Sequence, residues 1–232
     1  MPVAGIKVKI LVLSLAALSI PYDLLAEDRR DKAGPCDITI SQDFSAVAID
    51  DSVFSRMKGK SYGAGCDVPL DSLRYLRLLY VDGDGETRRG DMVCNVAIAD
   101  DLLDIFRCLY EARYPIERIG LIDDYDADDI KSMRANNTSA FNFRFIGNTR
   151  RLSNHSRGMA VDLNPLYNPY VKRRKDGTLV VSPEEGRPYV DRTADFPYKI
   201  TKSDLAYKLF KSHGFKWGGE WKSLKDYQHF EK

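Results

Sequence analysis

Residues 73–81 read LRYLRLLYV, a run rich in branched and aromatic side chains, and TRRGDMVCNV follows at 87–96. DGDGE lies between them, so the pair predicts two strands around an Asp-Gly turn. The period then changes. In AIADDLLDIFRCLYEARY, Ile98, Leu102, Ile105, Phe106 and Leu109 form one helical stripe, and Pro115 ends the helix. IERIGLI (116–122) predicts a buried strand, and the Asn-, Ser-, Thr- and Arg-rich stretch 135–150 a polar loop or ragged strand. GMAVDLN (158–164) alternates as a strand, with Ala160, Asp162 and Asn164 on one face and Val161 and Leu163 on the other. Residues 165–198 hold five prolines and a KDGT turn, which predicts an extended excursion with room for one hairpin. Thr201 with Asp204 resembles a capping box for a helix KSDLAYKLFKS, which Gly214 closes. FKWGGEWKSLKDYQHFEK ends the chain as turn and strand. The elements predict an α+β fold, an antiparallel sheet with helices packed against it, over residues 71–232. Residues 27–70 show few clear periods and read as a lead-in segment that packs on this domain.

The N-terminus has a different pattern. Lys7 and Lys9 precede ILVLSLAALSI, then come Pro21, LLA and the charged EDRRDK. A basic start, a short apolar run and small Ala26 predict a cleaved secretory signal over residues 1–26. The run is shorter than the roughly 18–20 apolar residues that span a bilayer, so no stable membrane anchor is expected after cleavage. The expected location is periplasmic or extracellular. Cys36, Cys66, Cys94 and Cys108 suit such a compartment, where disulfides persist. No two are spaced Cys-x-x-Cys, and spacing does not choose among the possible pairings. Cys94 and Cys108 make an awkward pair, because helical rise alone separates them beyond the roughly 7 Å a disulfide tolerates. The formal net charge of +1 provides no basic field for nucleic acid.

The candidate chemistry lies in SNHSRGMAVDLNP (153–165) and in the C-terminal DYQHF. Asp162 stands between apolar Val161 and Leu163, where an unpaired buried carboxylate is costly. His155 lies across the Gly158 turn, and His229 follows Asp226 by three residues. Two imidazoles and a carboxylate with one position open suit a catalytic zinc ion, with Asp226 beside it to take a proton from water. His213, after a helix C-terminus, reads as a residue meeting the dipole and solvent. DDYDADDIK (123–131) lacks the glycine and glutamate of a calcium loop, so a solvated acidic loop is expected. Asn136 and Asn137 begin overlapping glycosylation sequons in NNTS, read as chance occurrences or a substrate loop. Trp217 and Trp221 flank GGE, as cleft floor or core.

SNHSRGMAVDLNP together with WGGEWKSLKDYQHFE resembles the M15 family of zinc peptidases, with its Ser-x-His-x6-Asp pattern and a C-terminal acidic residue, two others and His. The resemblance reaches back to about residue 90. It implies a fold shared with D,D-peptidases and the hedgehog signalling domain, with zinc on the open face of the sheet. It also implies zinc held by His155, Asp162 and His229, Asp226 as general base, and Ser153 as a substrate-holding serine. Arg144 matches the arginine that stabilises the oxyanion, and Trp221 is assigned to substrate binding. The implied substrates are peptidoglycan stem peptides, cut by a D-alanyl-D-alanine carboxypeptidase or an L-alanyl-D-glutamate endopeptidase. Asp226 stands where the D,D-dipeptidase branch carries glutamate, which leaves the branch open. A silent zinc-containing binding module, as in hedgehog proteins, is the alternative from another class, and the retained Asp226 argues against it.

Overall fold

The computed structural model describes residues 43–146 and 149–232. The expected signal, Cys36 and the start of the lead-in lie outside the described residues. In chain order, β1 is Ser45–Val47, α1 Asp51–Met57, β2 Leu73–Val81 and β3 Thr87–Asn95. There follow α2 (Val96–Glu111), β4 (Arg118–Ile119), α3 (Asp129–Arg134), β5 (Asn137–Thr138) and β6 (Ala160–Asp162). The chain ends through β7 (Tyr170–Arg173), β8 (Leu179–Ser182), α4 (Leu205–Ser212), β9 (Lys216–Trp217), β10 (Lys225–Asp226) and β11 (His229–Glu231). The architecture is α+β, and its strand pairs are antiparallel except β4 with β5.

The predicted hairpin and helix form the frame. β2 and β3 pair from Leu73↔Asn95 to Val81↔Thr87, and β1 adds a third strand from within the lead-in segment. Asp82 closes the hairpin by accepting from the amides of Asp84 (3.0 Å) and Glu86 (2.9 Å). Leu76, Leu78 and Met92 pack against Ile98, Leu102, Ile105, Phe106 and Leu109 of α2, so the helical stripe is fully buried as its period predicts. Leu73, Tyr75 and Val93 face the other side, against Val53 and Met57 of α1 and Phe141. Both faces of the sheet are therefore covered, which holds β3 rigid where it meets the site.

Two predicted elements differ. The strand expected at 116–122 shrinks to the two residues of β4. Pro115 has no amide to donate, and the amide of Glu117 goes to the side chain of Asn164 (3.0 Å) instead of a ladder. The last helix starts at Leu205 rather than near Thr201, because Asp204 is itself the cap. Its Oδ1 accepts from the amides of Ala206 (2.8 Å) and Tyr207 (3.4 Å) and from the Tyr114 hydroxyl (3.2 Å). Replacing Asp204 by alanine should cost about 1–2 kcal/mol in denaturant unfolding, as for other lost helix caps. Asparagine, which caps equally well, should restore most of that loss.

The cysteines give little. Cys66 is half-buried and Cys94 buried, and no disulfide joins two described cysteines. Burial pushes the Cys94 thiol well above its ordinary range, which makes it inert. No helix among the described residues is long and apolar enough to cross a membrane.

Candidate metal centre

His155 is placed by a tight turn rather than by a strand. Residues Asn154–Arg157 form a short 3-10 turn, capped by Ser153, whose Oγ accepts from the His155 amide (3.3 Å). Gly158 ends the turn with φ +66°, and a Cβ there would meet the Asn95 amide at 2.6 Å. Only glycine lets the turn lie this close to the end of β3. The Gly158 carbonyl accepts from that amide (2.9 Å), so the rigid hairpin holds the histidine turn.

Asp162 and His229 meet for a different reason. β6 and β11 are antiparallel neighbours, and His229 is paired in register with Asp162. Directly opposite residues present their side chains to the same face, about 4.5–5.5 Å apart at Cβ. Val161, Leu163 and Phe230 point the other way into the main core. The alternation predicted for 158–164 thus has its cause: one face is packed, and the other carries the carboxylate.

The three side chains converge. His155 Nε2 lies 3.2 Å from Asp162 Oδ2, and His229 Nδ1 lies 3.0 Å from Asp162 Oδ1. The two ring nitrogens are themselves 3.2 Å apart. Metal legs of about 2.0–2.1 Å at a tetrahedral ion put ligand atoms roughly 3.3 Å from one another, close to these spacings. The opposite ring edges decide the tautomers. His155 Nδ1 faces the Ala140 carbonyl (2.6 Å), which can only accept, and His229 Nε2 faces the Glu231 carboxylate (3.1 Å). Each imidazole donates outward, so both lone pairs point inward at one another and at Asp162. That arrangement repels unless a proton or a metal cation stands between the rings. Two nitrogens and a carboxylate oxygen suit zinc, which as a tetrahedral ion would have a fourth position for water or substrate.

The electrostatics show the same demand for positive charge. Burial works against an ionised Asp162, yet the His155 and His229 rings outweigh it and hold the carboxyl far below its usual range. Burial likewise opposes a charged His229, but its bonds to Asp162 and Glu231 raise it to about 10. Asp226 behaves in the opposite way. Burial, helped by the charge of Asp162, raises its pKa to about 6, while His229 and the Gln228 side chain pull it down. The raised value keeps a proton-accepting carboxylate close to neutral pH, where a general base is most effective.

Asp226 reaches this place through the excursion at 165–198. β7 and β8 form the expected hairpin, and β10 pairs with β7, setting Asp226 opposite Tyr170. A half-buried arginine fixes the rest of the excursion. Arg192 donates to the carbonyls of Tyr167 (2.9 Å) and Ile200 (2.9 Å) and to Asn168 Oδ1 (2.9 Å), and its guanidinium lies over Tyr227 (4.4 Å). Burial lowers its pKa to about 10 without discharging it at neutral pH. The hairpin is therefore a fixed neighbour of Asp226. Gly218 passes so close that a Cβ would meet the Asp226 carbonyl at 2.5 Å, which accounts for the glycine between Trp217 and Trp221.

The remaining candidates separate. Trp221 stands beside the centre, its ring 5.3 Å from that of His229, whereas Trp217 is core and stacks on Phe230. Ser153 is buried as the cap of the His155 turn. Arg144 is bound to the same turn by its backbone, which donates to Ser156 Oγ (2.9 Å), and its side chain forms an ion pair with Asp129. His213 caps α4 and pairs with Asp101 (3.1 Å). In the acidic loop, Asp123 accepts from Ser61, Asp124 pairs with Arg56, Asp126 with Lys60, and Asp128 caps α3. Each has a structural partner, and Asp123, only 3% exposed, departs from the solvated loop expected there. Asn136 and Asn137 are 2% and 1% exposed, so neither sequon presents an acceptor to solvent. Sequence reasoning missed Glu231 and Asn154, although the alternation of a strand places Glu231 on the face of His229.

No solved structure matches the chain. Residues 147–232 match the model of a family described as D-alanyl-D-alanine carboxypeptidase. The match takes in His155, Asp162, Asp226 and His229 and begins just after Arg144. Through this segment, in which every converging side chain lies, the chain is similar to the M15 peptidases.

Proposed function

We propose that the protein is an exported zinc-dependent peptidase that hydrolyses an amide bond in peptidoglycan stem peptides. The observation that carries the reading is the inward convergence of His155 Nε2, Asp162 and His229 Nδ1 within one carboxylate's reach of each other, with Asp226 beside them. A bound zinc ion supplies a Lewis acid for the scissile carbonyl and makes a water easier to deprotonate.

The chain's own residues do the rest. Asp226 takes the proton from the attacking water and returns it to the leaving amine. Arg144, whose side chain pairs with Asp129, is the residue assigned to the developing oxyanion, where a fixed guanidinium would stabilise the charge. Trp221 and the β7–β8 hairpin flank the scissile bond and exclude water from one side. Ser153 supports the site by capping the His155 turn, in addition to any contact with substrate.

A D-alanyl-D-alanine carboxypeptidase is placed ahead of an L-alanyl-D-glutamate endopeptidase, and the wording of the matched family supports that order. Mass spectrometry of a pentapeptide stem incubated with metal-loaded protein separates them. Release of free D-alanine with an intact tetrapeptide is the expected result. Cleavage after L-alanine assigns the endopeptidase activity instead. An uncut stem with zinc fully bound overturns the peptidase reading in favour of a binding module.

A further inference from the structure

Glu231 takes no part in the proton transfer and is not among the three converging donors, yet it touches both segments that hold them. It lies two residues beyond His229 on β11, and the alternation of a strand turns both side chains to one face. One oxygen, Oε2, accepts from His229 Nε2 at 3.1 Å and from Asn154 Nδ2 at 2.5 Å. Asn154 is the residue before His155 in the capped turn. A single carboxylate oxygen thus ties the back edge of one imidazole to the turn that carries the other.

Its position excludes a place as a fourth ligand. The donor that His229 offers the centre is Nδ1, 3.0 Å from Asp162, and Glu231 is bonded to the nitrogen on the other edge of the ring. We infer that Glu231 is a positioning residue: it fixes His229 in the Nε2–H tautomer and aims Nδ1 at the metal position, and Asn154 holds Glu231 in place. The carboxylate also increases the electron-donating strength of the imidazole, as partners outside the ligand set do in other metal sites. The Ala140 carbonyl serves His155 in the same way at 2.6 Å, but it is backbone and cannot be varied by substitution. Glu231 is the side chain through which this control can be tested.

The inference rests on the metal reading, so the experiment must tell the two apart. Zinc affinity of the full chain is measured by competition with a chromophoric chelator, and cobalt spectra report the ligand field. Glu231→Ala should weaken zinc binding by about 10–100-fold, the range for lost outer partners, and should shift the cobalt bands. Glu231→Gln keeps an oxygen able to accept both bonds and should restore a large part of the affinity. Asn154→Ala should show a smaller loss in the same direction. Thermal melts of the metal-free variants monitor the fold, and if the alanine form does not fold, the glutamine and Asn154 variants carry the test. Wild-type zinc affinity and an unchanged cobalt spectrum in Glu231→Ala would overturn the inference. So would a glutamine variant that folds but binds no better than alanine. Asp162→Ala serves as the control: wild-type affinity there would overturn the metal reading itself.

Discussion

Asp226→Asn should yield a folded protein that retains its metal and loses about 10²–10⁴-fold in turnover, the contribution of a positioned general base. The substitution keeps the size and the acceptor oxygen that Gln228 meets at 3.1 Å, so neither β10 nor its pairing with β7 has reason to move. What disappears is the capacity to hold a proton. In the proposed mechanism Asp226 acts as its ionised form, and protonation on lowering the pH removes it. Burial and the neighbouring Asp162 raise its pKa to about 6. A cation beside it favours the carboxylate and pulls the value down, so the acid limb of kcat/KM should fall at or below about pH 6. Measured at saturating zinc, that limb should be present in the parent protein and absent from the residual activity of Asp226→Asn. Loss of metal from this variant would move Asp226 into the ligand set.

Removing a ligand should have a different signature. Asp162→Ala deletes the carboxylate that faces both histidines, at 3.2 Å and 3.0 Å. The two imidazoles remain with lone pairs converging and no anionic partner between them, so zinc should be lost and activity with it. His155→Ala leaves a carboxylate whose ionised form was held by that ring, and it too should strip the metal or weaken its retention. Both variants should keep most of the fold, because Val161, Leu163 and Phe230 on the opposite face still pack in the main core. Metal content by elemental analysis, set beside circular dichroism, separates loss of the ion from loss of structure. A folded Asp162→Ala protein with a full complement of zinc would contradict the ligand assignment.

How much of this was legible in the sequence depends on how local each cause is. The β2–β3 hairpin and α2 were readable because turn chemistry and apolar period act over a few residues. His155 and Asp162 were readable because a Gly158 turn joins them directly. His229 was found by its spacing from Asp226, but the spacing is not what assembles the site. Asp226 and His229 belong to different sheets, and register between β6 and β11, far apart in sequence, brings His229 to Asp162. The shortening of the 116–122 strand followed from the side chain of Asn164 taking a backbone amide, a contact across the chain that no local period encodes. Glu231 escaped notice because a glutamate near a chain terminus resembles ordinary solvated charge. Its hydrogen bonds to His229 and Asn154 set it apart. The expected signal and the pairing of Cys36 concern residues outside the described ones, and N-terminal sequencing of the protein recovered from its native host tests the signal directly.

The most direct test of the central claim is a zinc titration of chelator-treated protein, followed by hydrolysis of a pentapeptide stem. Hydrolysis should be absent from the metal-free protein, rise with added zinc and level off at about one equivalent per chain, the stoichiometry of a single His-Asp-His centre. Full hydrolysis without metal, or none at all with one equivalent bound, would contradict it.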